Sequence, residues 1–381
     1  MEWAINSTRV PIKSWCNYID AATMIQAIHV TELPFVYPHV ALMADGHLGY
    51  GVPIGCVFAA DGAVVPNAVG VDIGCGVITI KTAITADKLT PVVIRKIFDE
   101  VRKEVPTGYH HHKTAQEWGG FHDIPNIPII RGEIESAKRQ LGTLGGGNHF
   151  IEIQKDEDDC VWLMIHSGSR NFGYKIAQVY HALAKLDKSH TAGKDLAYLE
   201  VGTQNADDYL IALNFALEFA AENREIMMEK FTDAVDKHVE LDILFHLNVH
   251  HNYAAKEVHF GKELFVHRKG AISAKVGEWG IIPGSQGTAS YIVKGKGNPG
   301  SFNSCSHGAG RKMGRAAAKE KLDFTEEVGR MDRMGIVHSV RAINNLDEAP
   351  GAYKDIDLVM YEQQDLVEVM FKLTPLGTMK G

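Results

Sequence analysis

Five short segments, four of them punctuated by glycine, constrain this chain more than anything else in it. They are Gly70-Val-Asp-Ile-Gly-Cys-Gly76, Gly145-Gly-Gly-Asn-His149, His166-Ser-Gly-Ser-Arg170, His250-His-Asn252 and Ser304-Cys-Ser-His-Gly-Ala-Gly-Arg311. Glycine lets the backbone turn tightly and approach a ligand, so each segment can present its Asp, Cys or His to a cavity. A fold that gathers them has the layout of a metal site beside an anion site.

Composition bounds the rest. The chain has 381 residues, 45% of them hydrophobic and 23% charged, enough for a large core. Length alone allows two or three domains of about 150 residues each. Yet the ligand-type segments run from residue 45 to residue 311 with no Pro/Ser-rich linker or low-complexity break, so one unit over residues 1–381 is expected. No apolar run reaches the roughly 20 residues that span a bilayer. The N-terminus shows no basic region followed by an apolar stretch, so a cytoplasmic enzyme, away from membranes, is expected. The cysteines, Cys16, Cys56, Cys75, Cys160 and Cys305, are odd in number and dispersed, which points to reduced thiols rather than a disulfide framework. A net charge of -8 argues against nonspecific nucleic-acid binding. Local basic runs qualify it: His267-Arg-Lys-Gly270, and Arg311 to Arg315 beside the histidine motif. Lys319 and Lys321 read as a solvated face.

Short β-branched stretches bounded by Gly or polar residues predict buried strands at Val36–Met43, Val52–Ala59, Val77–Ile80, Val161–Ile165 and Leu241–Leu247. Helices are expected at 89–104, 174–186 and about 206–236, where Leu210, Leu213, Leu217 and Ala220 form a core-facing stripe. The fold class is therefore α+β, with mixed sheets and helices packed around a central site at strand ends.

Asp72 and Cys75 are three residues apart in one turn, so a carboxylate and a thiolate can face one point, and a thiolate can bridge two metals. With His149, His166 and His251 the number suits a two-metal cluster, and the O, N and S donors fit Mn, Zn, Fe or Co. A lone His reads more simply as a hydrogen-bonded core residue. That plain reading is kept for His110, His111, His112, His122 and His190, which lack flanks of the Gly-Gly-Gly-Asn, Ser-Gly-Ser-Arg or His-Asn kind. His307 precedes Gly-Ala-Gly, and Arg311 to Lys321 read as a helix whose N-terminus would hold a phosphate near the His307 ring. A histidine oriented through its other nitrogen is a competent nucleophile toward phosphorus. The loop Pro283-Gly-Ser-Gln-Gly-Thr-Ala289 could also hold a nucleotide.

Together these segments resemble the RtcB family of RNA ligases. The resemblance extends along the chain through Asp45-Gly-His-Leu-Gly-Tyr-Gly51, Leu144-Gly-Gly-Gly-Asn-His-Phe-Ile-Glu152, His250-His-Asn-Tyr253, Val266-His-Arg-Lys-Gly270, Pro283-Gly-Ser-Gln-Gly287, Asp347-Glu-Ala-Pro-Gly-Ala-Tyr-Lys-Asp355 and Lys380-Gly381, besides the segments above. It implies a ligase that joins RNA ends bearing a 2′,3′-cyclic phosphate or 3′-phosphate, as in cleaved tRNA or damaged rRNA, to 5′-hydroxyl ends, using GTP and two Mn2+ ions. Cys75 would then bridge the metals, with His166 and His251 on one and Asp72 and His149 on the other, and His307 would carry GMP. Asn148, Glu152, Asn252, Pro283, Ser285, Gly308, Gly310, Tyr353 and Lys380 match family positions around the nucleotide. Arg170, Lys269, Arg311 and Arg315 are the expected grips on RNA phosphates. Asp45 would accept the 5′-hydroxyl proton or orient a metal-bound His. The competing readings are a dinuclear phosphodiesterase or phosphatase, which needs the metal ligands but not His307, and a non-catalytic RNA-binding or metal-storage protein.

Overall fold

Strands with two apolar faces must be covered on both sides and paired along both edges, and the apolar runs here solve that in two large sheets. The computed structural model describes residues 1, 3–186 and 195–381. His190, read from the sequence as an ordinary core histidine, lies outside the described residues. The expected strands are present as Val36–His47, Ile54–Ala60, Gly76–Thr85, Cys160–Ser167 and Ile243–His250.

One sheet runs Trp3–Ile5, Ile12–Ser14, Val36–His47, Ile54–Ala60, Lys262–Lys269, Asn252–His259 in spatial order. The other runs Ile243–His250, Gly76–Thr85, Cys160–Ser167, Phe150–Lys155, Val367–Lys380, Ser290–Gly295, Trp279–Ile282. A two-stranded ribbon of Ala271–Ser273 and Ser304–Ser306 delivers His307.

Register gathers the site at one end of the second sheet. Gly76 pairs with both His250 and Ser167, and Phe150 pairs with both His166 and Lys380. Cys75 and His149 therefore sit just ahead of the two strands that flank Cys160–Ser167, and His166 sits near the end of that middle strand. His251 lies between Ile243–His250 of one sheet and Asn252–His259 of the other, and its N–H donates to the Cys75 carbonyl at 2.8 Å.

The expected helices form at Pro91–Glu104, Arg170–Leu186 and Gln204–Asp236. Thr203 caps the longest by accepting from the Ala206 N–H, and its Leu/Ala stripe is core: Leu213 and Ala220 are buried, with Leu210 and Leu217 packed nearby. This helix runs behind the site. Its fully buried Arg224 donates to the Gly74 carbonyl at 2.8 Å and the Ser167 carbonyl at 2.9 Å, pinning two of the glycine-rich turns together.

The helix expected from Arg311 starts only at Arg315 and ends at Lys321. Residues 310–312 are held otherwise: Gly310 has φ +71°, the Lys354 N–H donates to the Gly310 carbonyl at 2.9 Å, and the Lys312 N–H donates to the Ala352 carbonyl at 3.0 Å. His307 is thus not at a helix N-terminus, and no helix dipole faces it.

Candidate active site

The turn that carries Asp72 and Cys75 closes through the Cys75 N–H, which donates to the Asp72 carbonyl at 3.1 Å. Around it, the Cys75 Sγ lies 3.2 Å from His166 Nε2 and 3.5 Å from His149 Nε2. His166 Nε2 is 3.4 Å from His251 Nε2, and His149 Nε2 is 3.1 Å from Asp72 Oδ2. On the far side of the rings, Nδ1 of His149 donates to the Leu144 carbonyl at 2.9 Å and Nδ1 of His166 to the Asn148 carbonyl at 3.2 Å. That assignment leaves both Nε2 lone pairs facing the thiol and the carboxylate, a crowd of electron-rich atoms that a cation would reconcile. Asp72 Oδ1 is buried without a partner, which adds a spare ligand atom. Cys75, His149 and His166 therefore fit a metal, with their ligand atoms within 4.8 Å of one another, and Asp72 and His251 lie beside them.

Electrostatics agree. Burial, reinforced by neighbouring histidines, holds His166 and His251 well below the usual imidazole range, so both are neutral at pH 7. Burial and then Asp72 push the Cys75 thiol well up, which a metal would reverse. Burial also acts to raise Asp72, but His149 and Arg170 outweigh it and the carboxyl lies below its ordinary value. Gly168 is required here for space: a Cβ would stand 2.3 Å from Asp72 Oδ1.

His307 packs edge-on against His251, with ring centroids 4.7 Å apart. Its Nδ1 lies 2.6 Å from Oδ2 of Asp45, which is wholly buried and also accepts from the His307 N–H at 3.1 Å. The ring approach is close rather than aligned, since Nδ1 makes no well-angled hydrogen bond. Burial would raise the Asp45 carboxyl, but His307 outweighs it and the group stays ionised.

On its other side His307 opens into a cavity of about 300 Å³. Asn148, Glu152, Pro283, Ser285, Gly308, Gly310, Tyr353 and Lys380 all line it. Burial raises the Glu152 carboxyl to about 7 despite bonds from Thr378 and Gln154 and the pull of Lys380. At the cavity wall Glu348 gathers cations: Arg315 Nη1 at 2.7 Å, Arg311 Nη1 and Lys380 Nζ each at 3.2 Å, with the Tyr353 hydroxyl also donating to it. Burial would raise Glu348, but Lys380 and the arginines hold it below the usual carboxylate range.

Several expected roles shift. Arg311 and Arg315, expected to grip RNA phosphates, line the cavity beside His307 and pair with Glu348. Lys269 is buried, its ammonium donating to the Tyr50 carbonyl at 2.6 Å and the Asn67 carbonyl at 3.0 Å, and burial lowers it to about 8. A lysine satisfied by carbonyls is a brace more than a phosphate grip. Asn252, expected at the nucleotide, does not line the cavity beside His307: its Nδ2 donates to the Asp72 carbonyl at 3.1 Å and its Oδ1 accepts from the Gly270 N–H at 2.9 Å. Both ends of the amide are spent on holding the metal turn. Asp45 lines none of the cavities beside the metal ligands. Arg170 stands beside His149, with Nη1 3.3 Å from its Nδ1, in a left-handed backbone at φ +58°. His110, His111 and His122 are exposed rather than buried, and His112 is half-buried.

Sequence reading missed Arg224 and Glu348. Arg224 sits in an unremarkable helical stretch with no motif signal. Glu348 lay inside a quoted motif, next to Asp347, where its acidity gave no hint of four partners.

A family model described as tRNA-splicing ligase RtcB matches residues 26–127 and 123–381. The RNA-splicing ligase RtcB of Escherichia coli K12 is 39% identical over 407 aligned residues, covering 99% of each chain. The tRNA-splicing ligases RtcB of Nanoarchaeum equitans and Thermococcus kodakarensis are 33% and 30% identical, each covering 94% of this chain and 91% of the relative.

Proposed function

Because the chain belongs to the RtcB family of tRNA-splicing ligases, we propose that it is an RNA ligase. Its substrates are an RNA end with a 2′,3′-cyclic phosphate or 3′-phosphate and an RNA end with a 5′-hydroxyl, and it consumes GTP. The observation that carries this reading is the position of His307, between the buried carboxylate of Asp45, the metal-type cluster and the nucleotide cavity.

Asp45 stands at Nδ1 of the ring, which leaves Nε2 as the attacking nitrogen. Nε2 attacks the α-phosphorus of GTP, a P–N bond forms and pyrophosphate leaves. The ring then carries positive charge, which the ionised Asp45 offsets. An oxygen of the RNA 3′-phosphate attacks the same phosphorus, the P–N bond breaks, and His307 is restored. The 5′-hydroxyl finally attacks the activated 3′-phosphate, losing its proton and expelling GMP.

Asp45 serves this scheme as the residue that orients His307. The role considered from the sequence, acceptor of the 5′-hydroxyl proton, does not suit a carboxylate with no exposed surface. Glu152, Ser285, Tyr353 and Lys380 would hold the base and ribose, and Arg311 and Arg315 the phosphates, once Glu348 yields them. Asp72, Cys75, His149, His166 and His251 would hold Mn2+, and bound metal would offset phosphoryl charge and acidify water for opening a cyclic phosphate.

A 3′-phosphate RNA and a 5′-hydroxyl RNA incubated with the metal-loaded protein test this directly. A joined product that needs both GTP and Mn2+ is expected. Conversion of the cyclic phosphate to 3′-phosphate with no joining under any nucleotide would favour the dinuclear hydrolase instead. Among the described residues no helix is long and apolar enough to cross a membrane.

A further inference from the structure

Cys16 and Lys354 are 338 positions apart in sequence, yet Lys354 Nζ stands 3.1 Å from Cys16 Sγ. The thiol is buried, but it lies directly beneath an exposed turn: Asn17 and Tyr18 are open to solvent, and the Sγ also meets the Tyr18 carbonyl at 2.9 Å. A cover made of loop residues opens far more readily than the sheet beneath it. A small reagent can therefore reach the pair.

Lys354 has a structural task that does not need the thiol. Its ammonium donates to the Gly46 carbonyl at 2.6 Å and the Ala44 carbonyl at 3.5 Å, on either side of Asp45, and its backbone N–H donates to the Gly310 carbonyl at 2.9 Å. Those bonds tie together the two segments that set Asp45 against His307. The thiol contributes little to them, since neutral sulfur is a weak acceptor. Burial pushes the Cys16 thiol above its ordinary value, and Lys354 is the strongest influence opposing that. What the contact does supply is a sulfur and an amine nitrogen within reach of one inserted atom.

We infer that Cys16 and Lys354 are an oxidation-sensitive pair, which peroxide joins through a single oxygen as Sγ–O–Nζ. The first peroxide converts the thiol to a sulfenic acid: S–H becomes S–OH and one water leaves. In the second step the sulfenic oxygen bonds to the deprotonated lysine nitrogen, the O–H and one N–H hydrogen are lost, and a second peroxide takes the two electrons and leaves as two waters. The geometry favours this bridge over a direct S–N bond. One oxygen spans close to the present separation, whereas an S–N bond would drag two anchored groups much nearer. The bridge turns an ammonium with three donors into a neutral nitrogen with one, so Lys354 loses its grip on the carbonyls flanking Asp45. Guanylylation of His307 then slows until a thiol reductant restores both residues, and this consequence alone rests on the ligase reading.

The test treats the metal-loaded protein with hydrogen peroxide, quenches with catalase, digests without reductant and maps linked peptides by mass. A peptide joining Cys16 to Lys354 is expected, heavier than its two parts by one oxygen less two hydrogens and absent after dithiothreitol. Cys16→Ser and Lys354→Arg should give none, although the arginine keeps the charge. Adduct formation on His307 should fall about 10-fold or more in peroxide-treated wild type, the scale of one lost hydrogen bond to a charged group, and recover with dithiothreitol. The same treatment should spare Cys16→Ser, with metal content followed in parallel. No linked peptide, or one without the added oxygen, would overturn the bridge. Equal loss of adduct formation in wild type and Cys16→Ser would overturn its effect on Asp45. A linked peptide in a protein that forms no adduct even untreated would uphold the pair while the ligase reading fails.

Discussion

His307 Nδ1 stands 2.6 Å from Asp45 Oδ2, and the aspartate has no surface open to solvent. A buried carboxylate survives in its ionised form only with a partner of this kind, and the partner gains a fixed orientation in return. Asp45→Asn keeps the shape but removes the charge that steadies a phosphorylated ring. Guanylylation of His307 should slow by about 10²-fold or more, with metal content unchanged. Rapid-quench measurement of adduct formation decides it, and a rate within twofold of wild type would free Asp45 from the role.

Cys75 Sγ is within 3.5 Å of the imidazole nitrogens of both His149 and His166, which the resemblance assigns to different metals. Cys75→Ala should therefore empty both sites together. Elemental analysis after dialysis should show less than one metal per chain, and loss of one ion with the other retained would make Cys75 a terminal ligand.

Arg224 holds two carbonyls of the metal-bearing turns from inside the core, with Asn248 Oδ1 at 2.7 Å as a further acceptor. Its removal leaves several buried acceptors unpaired. Arg224→Met should cost about 3–5 kcal/mol in denaturant unfolding and weaken metal retention as the turns separate. A variant that unfolds like wild type would show that water replaces the guanidinium.

Glu152 gives a pH signature. Its folded value of about 7 lies above the ordinary 4.5, so between those values the native state holds a proton that the unfolded chain has lost. This contribution to stability is present at low pH and is lost as pH rises through about 7. Relative to Glu152→Gln, which does not titrate, wild type should lose about 3 kcal/mol on going from pH 4.5 to pH 8. Parallel stability curves for the two proteins across that range would contradict it.

Much of this was legible in the sequence for a local reason. Strands such as Cys160–Ser167 are short, branched and apolar because they are covered on both faces, and glycine beside a ligand, as at Gly168 against Asp72, records a lack of room. Candidate metal ligands could be read because Asp72, Cys75, His149 and His166 sit in glycine-rich sequence, whereas His251 has no glycine beside it. What could not be read depends on distant contacts. The stretch after His307 has helical composition, but hydrogen bonds to residues 352 and 354 hold its first part extended. Lys269 and Asn252 look like ligand-facing polar residues until burial shows their donors and acceptors spent on backbone. Arg224 and Glu348 acquire their roles only when partners from other parts of the chain arrive, and nothing in their neighbours in sequence announces that.

The most direct test of the central claim is the intact mass of the protein after incubation with GTP and Mn2+, compared with His307→Ala. The account predicts that wild type gains the mass of one GMP, that the gain disappears on addition of 3′-phosphate RNA, and that His307→Ala gains nothing while keeping its metals. A GMP adduct on His307→Ala, or none on metal-loaded wild type, would contradict it.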